Sequence, residues 1–327
     1  MSVRADESVR TAMTDGGLLG SVAGSLKGFR RPADLTKQEH IQLRHDVSAS
    51  SAGVCDSVNF HITRECNFVC PWCFHTKKGV RRGTGPPNVP LLKRALDACK
   101  AVGTQKVNFA GGEPTLYVAE LAELICYAKT KLGLFTSIIS NGTNVPELME
   151  TLGARAAADG RIALALDVCG LSLHSASSAT LGRIGYRAAK GTGEDTYDAI
   201  RAAAAAVHNA EGVRLKFNTT IGAQNCSAEE AKAISELMVE LRPKRWKVLQ
   251  LIECGNENAG RVDRYAIDAG TFASYKSTIN VSLAGLGVTA QSLGLVFESE
   301  KALSSSYVLV DEAARLLSIA GDAANTK

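Results

Sequence analysis

An α/β fold, built as an open or partial parallel barrel, is predicted by three observations. Strand-like and helix-like segments follow one another in six successive units. Within the strand-like segments apolar and polar side chains alternate, the period of a β-strand. Within the helix-like segments the apolar residues recur at helical spacing. Strands separated by helices must run parallel, joined by right-handed crossovers.

The elements are read in order. Ser57–Thr63, Gln105–Ala110, Phe135–Ser140, Leu166–Leu173, Arg214–Thr220 and Arg245–Ile252 read as strands. Leu91–Val102, Val118–Lys131, Glu147–Ala158, Asp195–Asn209 and Ala228–Leu241 read as the helices between them. In the last of these, Ile234, Leu237, Met238 and Leu241 share one face, and Ser227 followed by Glu230 predicts a capping box at its start. Residues 1–53 read as an N-terminal extension, poorly ordered or helical, closing in the Ser/Ala-rich run Ser48 to Gly53. Residues 54–255 hold the barrel, and 256–327 form a C-terminal extension expected to cover the site.

Strand parity carries the first functional signal. In Val58-Asn59-Phe60-His61-Ile62 the apolar side chains point one way and the polar ones the other. Lys106 and Asn108 alternate with Val107 and Phe109, Lys216 and Asn218 with Leu215 and Phe217, and Arg245 and Lys247 flank Trp246. If the apolar faces meet the helices, the interior is polar and basic. Lys106, Lys216, Arg245 and Lys247 gathered there are costly without a counter-charge, so an anion is expected among them. The competing reading for any single lysine is simple exposure to solvent. A triphosphate suits the set, since arginine grips phosphate as a fork and lysine as a point charge.

Composition bounds the rest. The chain has 327 residues, 45% hydrophobic and 21% charged, with a net charge of +4. Such a balance is ordinary for a globular protein and gives no reason to expect nucleic-acid binding or a membrane-spanning segment. Asp6, Glu7 and Asp15 speak against a transit peptide. A cytoplasmic, monomeric protein is expected.

Cys66, Cys70 and Cys73 form a C-x3-C-x2-C loop directly after the first strand. Closely spaced thiolates suit an iron–sulfur cluster or zinc. Structural zinc needs four ligands, usually as two paired half-sites, and a second C-x2-C does not occur. His61, upstream on the strand, stays open as a further ligand. Disulfides are disfavoured by an odd total of nine cysteines. Three thiolates on a four-iron cubane leave one iron open to chelate a small molecule. A second motif, Gly111-Gly112-Glu113-Pro114, follows the second strand, where active-site loops of such barrels gather.

With these two motifs the chain resembles the radical S-adenosylmethionine superfamily, whose fold is a partial (βα)6 TIM-type barrel. The resemblance implies a 4Fe-4S cluster on Cys66, Cys70 and Cys73, with S-adenosylmethionine on its open iron. It implies that Gly111, Gly112 and Glu113 hold the methionine amino group. Ser140, Asn141 and Ser172 would touch the sulfonium ligand or its ribose, and Trp72 would sit near the adenine. A closer likeness, to the viperin-like family, rests on Val58–Thr76, Lys106-Val107-Asn108-Phe109, Lys216-Phe217-Asn218 and Arg245-Trp246-Lys247-Val248, with Asn256-Glu257-Asn258 and Ser306-Tyr307-Val308-Leu309-Val310-Asp311-Glu312.

That likeness implies conversion of CTP or UTP to the 3′-deoxy-3′,4′-didehydro nucleotide by a 5′-deoxyadenosyl radical, with an external one-electron reductant. Lys106, Arg187, Lys216, Asn218, Arg245, Lys247 and Tyr307 are the substrate-binding candidates. Tyr307 and Lys247 are also the candidate proton donors. Two departures stand out: Ala110 occupies the place of a usual serine, and a lysine-bearing tail of vertebrate members has no counterpart after the Tyr307 segment. The rival expectation is a catalytically silent scaffold that keeps the cluster and docks partner proteins. A radical enzyme acting on another nucleotide is the third.

Overall fold

The computed structural model describes residues 56–73, 85–161, 163–252, 258, 262–299, 308–314 and 316–318. The expected N-terminal extension, His75 and Tyr307 lie outside the described residues.

The six expected strands are all present: β1 Ser57–His61, β2 Lys106–Ala110, β3 Phe135–Ser140, β4 Val168–Ser172, β5 Arg214–Ile221 and β6 Arg245–Gln250. Each pairs in parallel with its sequence neighbour. The helices between them are α1 Val89–Ala101, α2 Val118–Cys126, α3 Val145–Ala158, α4 Ser178–Arg183, α5 Gly193–Asn209 and α6 Ala228–Leu241. A helix α7, Ala269–Gly285, follows β6.

The segment after β6 extends the sheet at both edges. It supplies β7 Leu295–Glu298, parallel to β6 at one edge, and β8 Val308–Val310, parallel to β1 at the other. A ninth strand, β9 Leu316–Ser318, pairs antiparallel with β8. The sheet order is therefore β7-β6-β5-β4-β3-β2-β1-β8-β9. The parallel half-barrel is the expected one, extended at both edges by short strands whose brevity hides them from a periodicity reading.

Parity behaves as anticipated. Val58, Phe60, Val107, Phe109, Leu215, Phe217, Trp246 and Val248 are buried against the helices. Each large side chain buried there stabilises the fold by about 1.5–3 kcal/mol. Phe60 and Phe109 meet edge to face, centroids 6.2 Å apart. On the opposite face Asn108 donates to Asn59 at 2.8 Å and Ser137 donates to Asn108 at 2.9 Å, a polar ladder across β1, β2 and β3.

Two details differ from expectation. The strand ladder of β1 stops at His61 because the next carbonyls serve the glycine motif: Gly112 N–H reaches Thr63 O and Glu113 N–H reaches Glu65 O, both at 2.7 Å. At the start of α6, Ser227 Oγ accepts the Glu230 N–H at 3.2 Å, but the Glu230 carboxylate does not complete a capping box. It accepts instead from Ser175 Oγ at 2.5 Å and Thr180 Oγ1 at 2.6 Å, tying α6 to the β4–α4 connection. The reciprocal box forms at α5, between Thr192 and Asp195. The apolar face of α6 is as read, with Ile234, Leu237, Met238 and Leu241 buried.

Candidate active site

A cavity of about 330 Å³ opens in the half-barrel, lined by strand residues of the polar face and by loops beyond the strands' carboxyl ends. Its size is that of a small-molecule site. Cys66, Cys70 and Cys73 all line it, as do Trp72, Gly111, Gly112, Glu113, Ser140, Asn141 and Ser172. The three thiols are free of disulfides, with Cys70 the most buried. Among the described residues no group of three His, Cys, Asp or Glu side chains could share a single metal ion. A cubane asks for something different, one thiolate on each of three irons, and three thiols on one cavity wall are the donor set it takes.

The two motif loops are locked together by their glycines. A Cβ on Gly112 would stand 2.0 Å from Glu65 O, and one on Gly111, at φ +144, would stand 2.4 Å from Thr63 O. Only glycine lets the second loop press onto the first. Glu113 is buried and receives four hydrogen bonds: Asn141 N–H at 2.7 Å, Ser140 Oγ at 2.8 Å, Thr115 Oγ1 at 2.7 Å and Thr115 N–H at 3.1 Å. Burial pushes its carboxyl pKa up while those donors pull it down. Glu113 thus fastens the glycine loop to the end of β3. Asn141 Nδ2 in turn donates to Asn67 Oδ1 at 2.9 Å, reaching back into the cysteine loop.

The far side of that loop is held by residues 184–191. Trp72 Nε1 donates to Ile184 O at 3.3 Å, Val69 N–H to Arg187 O at 3.2 Å, and Ala189 N–H to Asn67 O at 2.9 Å. Arg187 spends its guanidinium on this loop's own carbonyls, with Nη1 3.2 Å from both Ala188 O and Gly191 O, and does not line the cavity.

Of the expected cations, Lys216 and Lys247 line the cavity together with Asn218. Lys106 and Arg245, the first residues of β2 and β6, are exposed and do not line it. Lys106 Nζ stands 5.9 Å from the centre of the Phe135 ring. Lys216 lies opposite Gly170 of β4, where a Cβ would stand 2.8 Å from Ile138 O and from Ile139 Cδ1. Burial, and then the charges of Lys247 and Arg245, pull the Lys216 pKa down to about 8. Lys247 is paired with Glu298 on β7. The amide oxygen of Asn218 is buried and has no partner among the described residues.

Strand reading passed over several lining residues. His174 and Tyr186 are buried in the cavity wall, and Glu298 reaches the Lys247 ammonium. His174 was accessible to the parity argument, since it continues the register of Gly170 and Ser172. Tyr186 and Glu298 carry no local signal. The Tyr186 hydroxyl donates to Ser172 O at 2.7 Å and its ring packs on Phe68 at 5.0 Å.

A half-barrel that brings a three-thiol loop and a glycine loop together on one cavity defines a recognised class of protein. Residues 60–224 match the model of the Radical SAM superfamily, and the chain belongs to that superfamily. Over 289 residues it is 29% identical to the S-adenosylmethionine-dependent nucleotide dehydratase RSAD2 of Oncorhynchus mykiss, covering 85% of this chain and 73% of that protein. It is 30% identical to the S-adenosylmethionine-dependent nucleotide dehydratase of Lacinutrix mariniflava, covering 86% of this chain and 55% of the relative. These relatives bear out the viperin-like likeness. Among solved structures, SuiB of Streptococcus suis bound to S-adenosylmethionine superposes with a TM-score of 0.62 at 15% identity, covering 100% of this chain and 69% of that one. At that identity the likeness is one of fold. Among the described residues no helix is long and apolar enough to cross a membrane.

Proposed function

We propose that the chain is a radical S-adenosylmethionine nucleotide dehydratase that converts CTP or UTP to the 3′-deoxy-3′,4′-didehydro nucleotide. The observation that carries this reading is the presence of Lys216 and Lys247 in the same cavity as the three thiols and the Gly111–Glu113 loop. The names of the relatives support the dehydratase class.

Cys66, Cys70 and Cys73 would hold the 4Fe-4S cluster, and Gly111, Gly112, Glu113, Ser140, Asn141, Ser172 and Trp72 the S-adenosylmethionine. When bound and reduced, that pair supplies a carbon radical able to take a hydrogen atom. The chain's own task is placement. Lys216 and Lys247 take the triphosphate with Asn218 beside them; Lys106, Arg245 and Arg187 stand outside the cavity and are assigned no phosphate contact. Anchoring the tail spends remote binding energy on holding the ribose C4′–H at the reacting distance. Loss of H4′, departure of the 3′-hydroxyl with one proton as water, and gain of one electron from an external reductant leave the 3′,4′-alkene. Lys247 and Tyr307 are the proposed proton donors.

Anaerobic incubation of the reconstituted protein with S-adenosylmethionine, dithionite and each ribonucleoside triphosphate tests the reading by mass analysis. The expected product is lighter than CTP or UTP by one water and accompanies 5′-deoxyadenosine. Cys70→Ala is expected to lose both cluster absorbance and 5′-deoxyadenosine. Absence of 5′-deoxyadenosine with all four nucleotides would instead favour a scaffold.

A further inference from the structure

His174 lines the cavity two residues beyond β4 and is 4% exposed. Its Nδ1 accepts the Thr220 backbone N–H at 3.0 Å. A backbone N–H only donates, so Nδ1 carries no proton and the ring's proton sits on Nε2. Burial pulls the imidazole pKa down to about 3, which keeps the ring neutral. Trp72 and Tyr186 box it edge to face, at 4.9 and 4.3 Å between centroids. The ring therefore has one orientation and one N–H, and among the described residues nothing accepts from Nε2. Nε2–H is left to donate to whatever occupies the cavity that His174 lines.

The surroundings say which kind. Anions collect at the ammonium groups of Lys216 and Lys247, whereas His174 offers a neutral donor. Trp72 beside it, and Leu251 and Ile252 elsewhere in the lining, give the cavity wall apolar surface. A neutral donor at the edge of an apolar slot suits an uncharged heteroaromatic ring that bears acceptor nitrogens. We infer that His174 is the residue that reads the adenine of S-adenosylmethionine, its Nε2–H donating to a ring nitrogen. The inference rests on S-adenosylmethionine being the cofactor.

The test is the affinity of the reconstituted protein for S-adenosylmethionine and for its 1-deaza, 3-deaza and 7-deaza analogues, by calorimetry without turnover. In the unaltered protein one analogue is expected to bind about five- to tenfold more weakly than the parent, the worth of one hydrogen bond. His174→Asn keeps an acceptor for Thr220 but does not reach the Nε2 position. It should weaken the parent by that factor and bind the same analogue no worse than the parent. His174→Gln, with an amide donor farther out, should recover part of the preference. A merely structural role would weaken all four ligands in parallel and leave the discrimination intact, which would overturn the assignment. So would equal affinity of the unaltered protein for all four, or a penalty confined to the nucleotide. Failure of the unaltered protein to bind S-adenosylmethionine at all would remove the cofactor reading along with it.

Discussion

Arg64 and Glu312 are 248 positions apart in sequence, yet the Arg64 Nε stands 3.0 and 3.1 Å from the two Glu312 carboxylate oxygens. Arg64 lies between the end of β1 and Cys66; Glu312 follows β8. Both side chains are largely buried, at 10% and 17% exposure. The pair fixes the approach to the cysteine loop from the C-terminal edge of the sheet. Glu312→Gln is expected to lower unfolding free energy by about 1.5–3 kcal/mol, the range for a charge-assisted bond. Anaerobic urea titration measures it, and iron content per chain should fall in parallel. Unchanged stability and iron would mean the pair is incidental.

Gly112→Ala forces a methyl to within 2.0 Å of Glu65 O, so the two motif loops must separate. The expected cost is about 1–3 kcal/mol or more, with S-adenosylmethionine affinity falling at least tenfold. Gly153→Ala in α3 is the contrast, since a Cβ there meets nothing within 4 Å. That change should raise stability by about 0.5–1 kcal/mol. Equal behaviour of the two variants would contradict the packing argument.

Lys216 predicts opposite pH trends for binding and for stability. Its pKa in the fold is about 8, below the usual lysine value near 10.4. Between those values the unfolded chain binds more protons than the folded one, so this group's contribution to stability rises with pH across the window. Triphosphate binding needs the charged form and weakens as pH rises through about 8. Lys216→Met should flatten both trends while leaving cluster absorbance unchanged. A nucleotide Kd independent of pH from 7 to about 9.5 in the unaltered protein would refute the assignment of Lys216 to the phosphate site.

Glu298 is an anion in a site proposed for an anion, and it already occupies the Lys247 ammonium. Glu298→Gln removes that competition. Nucleotide Kd is expected to tighten about threefold to tenfold, while kcat falls because Lys247 loses its anchor. Stopped-flow binding and single-turnover rates separate the two effects. Weaker binding in the variant would show that Glu298 assists the nucleotide instead of competing with it.

How much of this could be read in advance depended on range. The six strands and their facing were legible because Val58, Phe60, Val107 and Phe109 alternate with polar neighbours in windows a few residues long. The cysteine loop and Gly111–Glu113 were legible because their chemistry is local. Parity placed Lys106 and Arg245 on the same face as Lys216 and Lys247, but it holds no information on depth along the strand, and the first two emerge at the strand starts. Glu298 and Glu312 were invisible because their partners are set by which strands meet at the sheet edges. Arg187 was assigned by likeness alone, and the guanidinium serves its own loop's carbonyls.

The pairing of β1 with β8 has a consequence for how the chain matures. As the polypeptide leaves the ribosome, Ser57–His61 emerges about 250 residues before its second partner, Val308–Val310. Until then one flank of the growing sheet offers unsatisfied amides, the kind of edge that invites mispairing with other nascent chains. Until Val308–Val310 has been made, the β1 edge next to the cysteine loop stays open.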